Sequence, residues 1–112
     1  MSAAELFRVR YTQAARHDLL RLFDFLLEAA QTAEELDRAQ DAMDAIRSAV
    51  EIQLARAPFV YRKAGGNPFV RELVVPFGAA GYVVLYEISA AVAVQRTVEV
   101  LAVRRQREDD YD

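Results

Sequence analysis

The run Y-V-V-L-Y-E-I, residues 82 to 88, sets bulky apolar side chains on both faces of one strand. With the two-residue period of a strand, Tyr82, Val84 and Tyr86 share one face and Val83 and Leu85 the other. Strands that are covered on both faces read as continuous apolar runs of this kind. A sheet built around it needs one layer on one side and something more on the other. The second face is either curled into a groove or covered by something this chain does not encode, because an exposed apolar face usually marks a binding site.

The rest of the chain supplies one layer. L-F-R-V-R-Y, residues 6 to 11, alternates apolar and basic residues as a half-exposed strand does. Thr12 then has the position of a helix cap, its oxygen accepting from a backbone N–H of the first turn. From Gln13 to about Ala30 an apolar stripe recurs at helical spacing, with His17, Arg21, Asp24 and Glu28 on the opposite side. Leu20 and Leu27 widen the stripe, so this helix meets more than one neighbour. T-A-E-E, residues 32 to 35, reads as a capping box, and its acids suit the positive end of a helix. Leu36, Ala39, Met43, Ile46 and Val50 then step by three and four towards Arg56, with Pro58 as the stop. Two helices joined by so short a connection lie antiparallel, as a hairpin.

Y-R-K-A-G-G-N-P, residues 61 to 68, reads as a loop. Three β-rich runs follow, at 69 to 75, 82 to 88 and about 94 to 103, separated by turn-like segments as in an antiparallel meander. The expected fold is α+β with the order β-α-α-β-β-β: an N-terminal helix hairpin packed on a small, mainly antiparallel sheet. At 112 residues, without repeats or an internal linker, residues 1 to 112 form one domain.

Composition narrows the function. The chain has no cysteine and one histidine, which argues against disulfides, thiolate metal sites and a histidine cluster, so neither a metal nor a cofactor is expected. No apolar run reaches the roughly 18 residues of a membrane span, and the N-terminus lacks the apolar core of a signal peptide, so no membrane association and a cytoplasmic location are expected. The net charge is −3, with nine acids against five bases in residues 13 to 57 and seven of each in residues 58 to 112. A chain this acidic is a poor direct binder of DNA, where cationic contacts supply most of the affinity. No hydrolase, P-loop or dinucleotide-binding motif is present.

The basic residues are 13 arginines and one lysine. V-L-A-V-R-R-Q-R-E-D-D-Y-D, residues 100 to 112, runs from apolar to basic to acidic, with Tyr111 near its end. If adjacent strands bring Arg71 to Arg104, Arg105 and Arg107, the cluster would bind phosphate or carboxylate by bidentate hydrogen bonds, with Tyr111, Tyr82 or Tyr86 beside it. The plainer alternative pairs the three tail arginines with Glu108, Asp109 and Asp110, contacts of about 0 to 1 kcal/mol when exposed.

Y-T-x-x-A-x-x-D-L from Tyr11, R-E-L-V-V-P-F-G-A-A-G-Y-V-V-L-Y-E-I from Arg71 and V-L-A-V-R-R-Q-R-E-D-D-Y from Val100 together resemble the RelE/ParE toxins of bacterial toxin–antitoxin systems. The resemblance spans nearly the whole chain in order. It implies a toxin made with a cognate antitoxin from a neighbouring gene, in a hetero-oligomer whose flexible antitoxin segment covers the apolar face. That cover would fall on Leu20, Leu27, Tyr82 and Tyr86. ParE-like members of the superfamily inhibit DNA gyrase by protein–protein contact; RelE-like members cut messenger RNA on the ribosome.

The chain leans towards ParE. Its charge is acidic, and close relatives of the tail often read V-R-H-Q-R where Arg105 stands here in place of the histidine. Arginine stabilises phosphate but moves protons poorly, since its pKa lies above about 12. On this reading Arg71, Arg104, Arg105, Arg107 and Tyr111 contact the target and no residue is catalytic. On the ribonuclease alternative, Arg71, Arg104, Arg107 and Tyr111 would be the catalytic set. A third reading is a decayed member that binds its antitoxin and harms nothing.

Overall fold

A computed structural model describes residues 6–89 and 96–106. The elements are β1 (Arg8–Tyr11), α1 (Gln13–Ala29), α2 (Ala33–Ser48), β2 (Arg62–Ala64), β3 (Asn67–Phe77), β4 (Ala80–Ser89) and β5 (Thr97–Gln106). The five strands form one sheet in the order β1-β5-β4-β3-β2. All pairs are antiparallel except β1 with β5. The α+β expectation holds, with one strand more than expected. Residues 61 to 68 are a hairpin rather than a loop: β2 pairs with β3 around Gly65-Gly66, where Gly65 has φ +80°. A three-residue edge strand is too short to show a period, and its glycine pair is the hairpin turn itself.

Both helix starts follow from their caps. Thr12 Oγ1 accepts from Ala15 N at 3.1 Å and donates to Val100 O at 3.0 Å, so the cap also ties α1 to β5. Thr32 Oγ1 accepts from Glu35 N at 3.1 Å, and the Glu35 carboxylate reaches back to Gln31 N at 2.6 Å. After Ser48 the second helix widens into a π-helical stretch, Ala49–Leu54, which keeps Ala49, Val50 and Leu54 all buried. Thr12→Val deletes one cap and one tie between α1 and β5. We expect it to lower stability by about 1 to 2 kcal/mol, read as a lower urea midpoint with unchanged slope.

The core lies between the helix hairpin and one face of the sheet. Ile46, Val50 and Leu54 from the second helix meet Val84, Tyr86, Val98 and Val100, all at most 1% exposed. Full burial of each such side chain contributes about 1.5 to 3 kcal/mol. Tyr82 and Tyr86 therefore belong to the covered face, as their alternation with Val83 and Leu85 required. Among the described residues no helix covers the other face. There Val83 and Leu85 are half-buried, and the ion pairs Arg10–Glu99 (3.3 Å) and Arg62–Glu72 (2.9 Å) lie on that same face.

One irregularity decides where the arginines point. β5 carries an extra residue at Leu101: Val100 pairs with Tyr86 but Ala102 pairs with Leu85. This bulge switches the parity of the strand. Val98, Val100 and Val103 all face the core, at 4% exposure or less. Arg104 is thereby placed opposite Val83 on the open face and Arg105 opposite Tyr82 on the helix side.

Candidate functional site

The end of β5 forms the floor of an open groove of about 930 Å³. β1 pairs only with Thr97 to Val100, so among the described residues the outer edge of β5 beyond that point has no strand beside it. α1 supplies one wall there, through Asp18, Arg21 and Phe25. Arg62, Glu72 and Val83 on the open face supply the other. Among the described residues, four arginines and two acids line the groove, a net charge of +2 from those side chains in an acidic chain.

The two acids are already engaged. Asp18 Oδ2 accepts from Val103 N at 3.0 Å, and its Oδ1 accepts from Arg21 at 3.0 Å. Glu72 accepts from Arg62 Nε at 2.9 Å. Arg105 stacks over Phe25, its guanidinium carbon 4.5 Å from the ring centroid. Arg104 is exposed and has no ion pair among the described residues. Arg104 and Arg105 are thus the cations here that no carboxylate compensates among those residues.

The Y-T-x-x-A-x-x-D-L stretch turns out to be the fastening of α1 to β5. Thr12 caps the helix and bonds Val100, Ala15 is fully buried, and Asp18 bonds the β5 backbone. Sequence reasoning had placed Arg21 only on a polar helix face and missed Asp18, Phe25 and Arg62 as groove residues. The Asp three residues after Ala15 in the helix was the available signal.

Arg71 is not part of this groove. It sits opposite Tyr86, on the face away from Arg104 and toward the other end of the sheet. Its Nε donates to Pro68 O at 2.9 Å, and its Nη1 donates to Phe59 O at 2.9 Å and Tyr61 O at 2.8 Å. The guanidinium also lies over the Phe59 ring, 5.4 Å from its centroid. Arg71 does not converge with Arg104 or Arg105: the bulge puts Arg104 on the opposite face, and Arg105, on the same face as Arg71, lies opposite Tyr82, four residues along β4 from Tyr86. Arg107 and Tyr111 lie outside the described residues.

Of the residues expected to meet an antitoxin, Tyr82 and Tyr86 are 6% and 0% exposed and are core residues instead. Tyr86 donates its hydroxyl to Pro58 O at 2.6 Å, and burial pushes its pKa well above the usual phenol range, so it remains a neutral donor. Leu20 and Leu27 are 63% and 37% exposed. Leu20 borders an apolar groove of about 440 Å³ between the helices, with Leu19, Phe23 and Met43. Among the described residues no group of metal-ligating side chains occurs, and no helix is long and apolar enough to cross a membrane.

A family model described as the ParE toxin of the type II toxin–antitoxin system parDE matches residues 9–110, nearly the whole chain. The chain belongs to the ParE toxin family. It is a type II toxin of the ParE/RelE superfamily, and the match includes the fastening stretch, β3, β4 and the groove-lining end of β5. Solved structures agree on the fold. The chromosomal ParDE toxin–antitoxin system from P. aeruginosa superposes with a TM-score of 0.67 at 16% identity, covering 92% of this chain and 99% of that one. The toxin–antitoxin complex RelBE2 from Mycobacterium tuberculosis superposes with a TM-score of 0.59 at 19% identity, covering 90% of this chain and 92% of that one. No curated protein sequence matches this ParE-family chain.

Proposed function

We propose that this toxin arrests growth by binding DNA gyrase and blocking replication, without chemistry of its own, and that a cognate antitoxin from a neighbouring gene neutralises it. The observation that carries this reading is the state of the groove's titratable groups. Cleaving RNA through its 2′-hydroxyl requires a proton acceptor, a donor and phosphate stabilisers. Asp18 and Glu72 are both committed to structural partners, and among the described residues the remaining charged groups lining the groove are arginines. Such a surface suits recognition of carboxylates on a protein partner better than proton transfer.

The antitoxin would cover the apolar groove at Leu20 and the partly exposed Leu27 of the same helix, giving a hetero-oligomer in the cytoplasm. A wrapping segment of this kind gains large contact area at an ordering cost. One observation favours the ribosome-dependent ribonuclease instead: among the described residues four arginines line a single groove, the arrangement that stabilises a phosphorane-like transition state. On that reading Arg104, with Arg107 and Tyr111, would act on messenger RNA.

Incorporation of labelled thymidine and labelled methionine, followed in the minutes after induction of the chain alone, separates the two. We expect thymidine incorporation to fall first. An earlier fall in methionine incorporation, with new RNA ends inside translated frames, would overturn the gyrase reading. Normal growth with folded protein would identify a decayed toxin.

A further inference from the structure

A second cationic surface lies at the far end of the sheet from the groove, where β3 and β5 begin. Phe7, Phe59 and Phe69 meet there edge to face, with successive ring centroids 6.3 Å and 6.1 Å apart. Phe59 and Phe69 are 41% and 45% exposed, so they contribute little to the core. The patch is nevertheless held in place. Arg71 donates to the carbonyls of Phe59, Tyr61 and Pro68 and lies over the Phe59 ring, and Phe69 N–H donates to Asn67 Oδ1 at 2.9 Å. Aromatic side chains fixed in this way lose little entropy when they are covered. Contiguous exposed apolar surface marks interaction sites in soluble proteins. Two cations stand beside the rings. Arg96 lies over Phe7, 5.8 Å from its centroid, and Lys63 is opposite Arg71 on β2. Neither has an ion pair among the described residues. Glu87 and Glu99, at the same end, sit opposite each other on the open face, whereas Phe7 packs on the helix side and Lys63 shares the side of Arg71.

We propose that this phenylalanine patch is a docking site for a protein partner that presents apolar side chains between carboxylates. Phe59 and Phe69 take the apolar groups, and Lys63 and Arg96 take the carboxylates. Arg71 is a positioning residue, since its bonds to three carbonyls fix Phe59. Charge complementarity selects the occupant: both contact cations are uncompensated, and complementary potentials favour a partner of the opposite sign. Aromatic rings beside arginine are also the usual composition of interface hot spots. A single-stranded nucleic acid fits less well. It would stack bases on free ring faces, and Phe7 and Phe59 already carry a guanidinium on a face. A second copy of the chain is disfavoured because it would bring the same cations together. The patch and the β5 groove lie at opposite ends of the sheet, so the docking stands whatever the toxin's target is.

The test uses the purified full chain and a fluorescent peptide in which leucine and tryptophan stand between aspartates. We expect it to bind. The same peptide with lysine for aspartate should fail, and so should the one with serine for leucine and tryptophan. Phe59→Ser/Phe69→Ser should abolish binding, and Lys63→Glu/Arg96→Glu should weaken it about tenfold or more, each with a melting temperature close to wild type. If the phenylalanine variant melts early, the charge variant decides alone. Arg104→Glu/Arg105→Glu should bind the peptide as wild type does. A loss there, with none in the patch variants, would move the peptide to the β5 groove and overturn the site, as would a wild-type chain that does not bind the peptide. Tighter binding of an oligothymidylate, lost in the patch variants, would assign the surface to nucleic acid. Binding to anionic lipid vesicles, lost in the same variants, would assign it to a membrane surface, and concentration-dependent dimerisation that excludes the peptide would assign it to a second copy. Each of these three results overturns the protein partner.

Discussion

Replacing Arg104, Arg105 and Arg107 together with alanine is expected to abolish growth arrest and leave a folded protein. The structural cost is small. Arg104 is exposed, with no ion pair among the described residues, so its truncation loses little beyond solvated surface. Arg105 loses its stacking on Phe25, worth about 0.5 to 1 kcal/mol at an exposed site. The functional cost is large, because arginines at the centre of an interface commonly contribute 2 kcal/mol or more, which is about thirtyfold in affinity. Colony counts after induction, with a thermal melt of each purified variant, check both halves. Arrest by the folded triple variant at the wild-type level would remove the groove from the mechanism. Lysine at positions 104 and 105 separates charge from geometry. If bidentate contacts matter, lysine recovers only part of the killing.

Much of this fold was legible because each helix declares its own start. Thr12 and Thr32 have few other uses at those positions, and both are caps. The long strands were legible for a different reason: residues 82 to 88 are so apolar that only a sheet under a helix layer accommodates them. The first error was β2, hidden in residues that read equally well as a loop. The second was the site. Reading β5 with an unbroken two-residue period puts Val98, Val100 and Ala102 on one face and Arg104 with them, under the helices. The bulge at Leu101 reverses that, and the only trace of it in sequence is the pair Leu101-Ala102 between two valines that both need burial. Tyr82 and Tyr86 were on the helix-covered face by the same parity argument that identified Val83 and Leu85 as open. Assigning the tyrosines to a partner contradicted that pattern, and Tyr86 is instead satisfied internally by Pro58. Arg71 carried no local signal of its role, since its three acceptors come from two separate segments that only the folded chain brings together.

Arg71→Ala is expected to fail by a different route from the groove variants. Arg71 closes the segment between the second helix and the sheet. It donates to Phe59 O and Tyr61 O on one side and Pro68 O on the other, and stacks on Phe59. Tyr86 anchors the same segment from below through Pro58 O. Hydrogen bonds from a charged donor contribute about 1.5 to 3 kcal/mol each when buried, and less where the carbonyls can regain water. Phe59 is 41% exposed, so part of the loss is recovered by hydration. A net loss of about 2 to 4 kcal/mol follows, a large share of the total of about 5 to 15 kcal/mol for a domain. Tyr86→Phe, which removes one buried bond, should cost about 1 to 2 kcal/mol by the same reasoning. Lysine at 71 cannot span three carbonyls from one rotamer and should restore less than half of the deficit. Urea unfolding gives the stabilities, and toxicity measured at two growth temperatures gives the mechanism. A stability defect is relieved at the lower temperature, whereas the loss in the Arg104, Arg105 and Arg107 variant is not. If Arg71→Ala keeps wild-type stability and still loses toxicity at both temperatures, Arg71 contacts the target after all, and the toxic surface extends to both ends of the sheet.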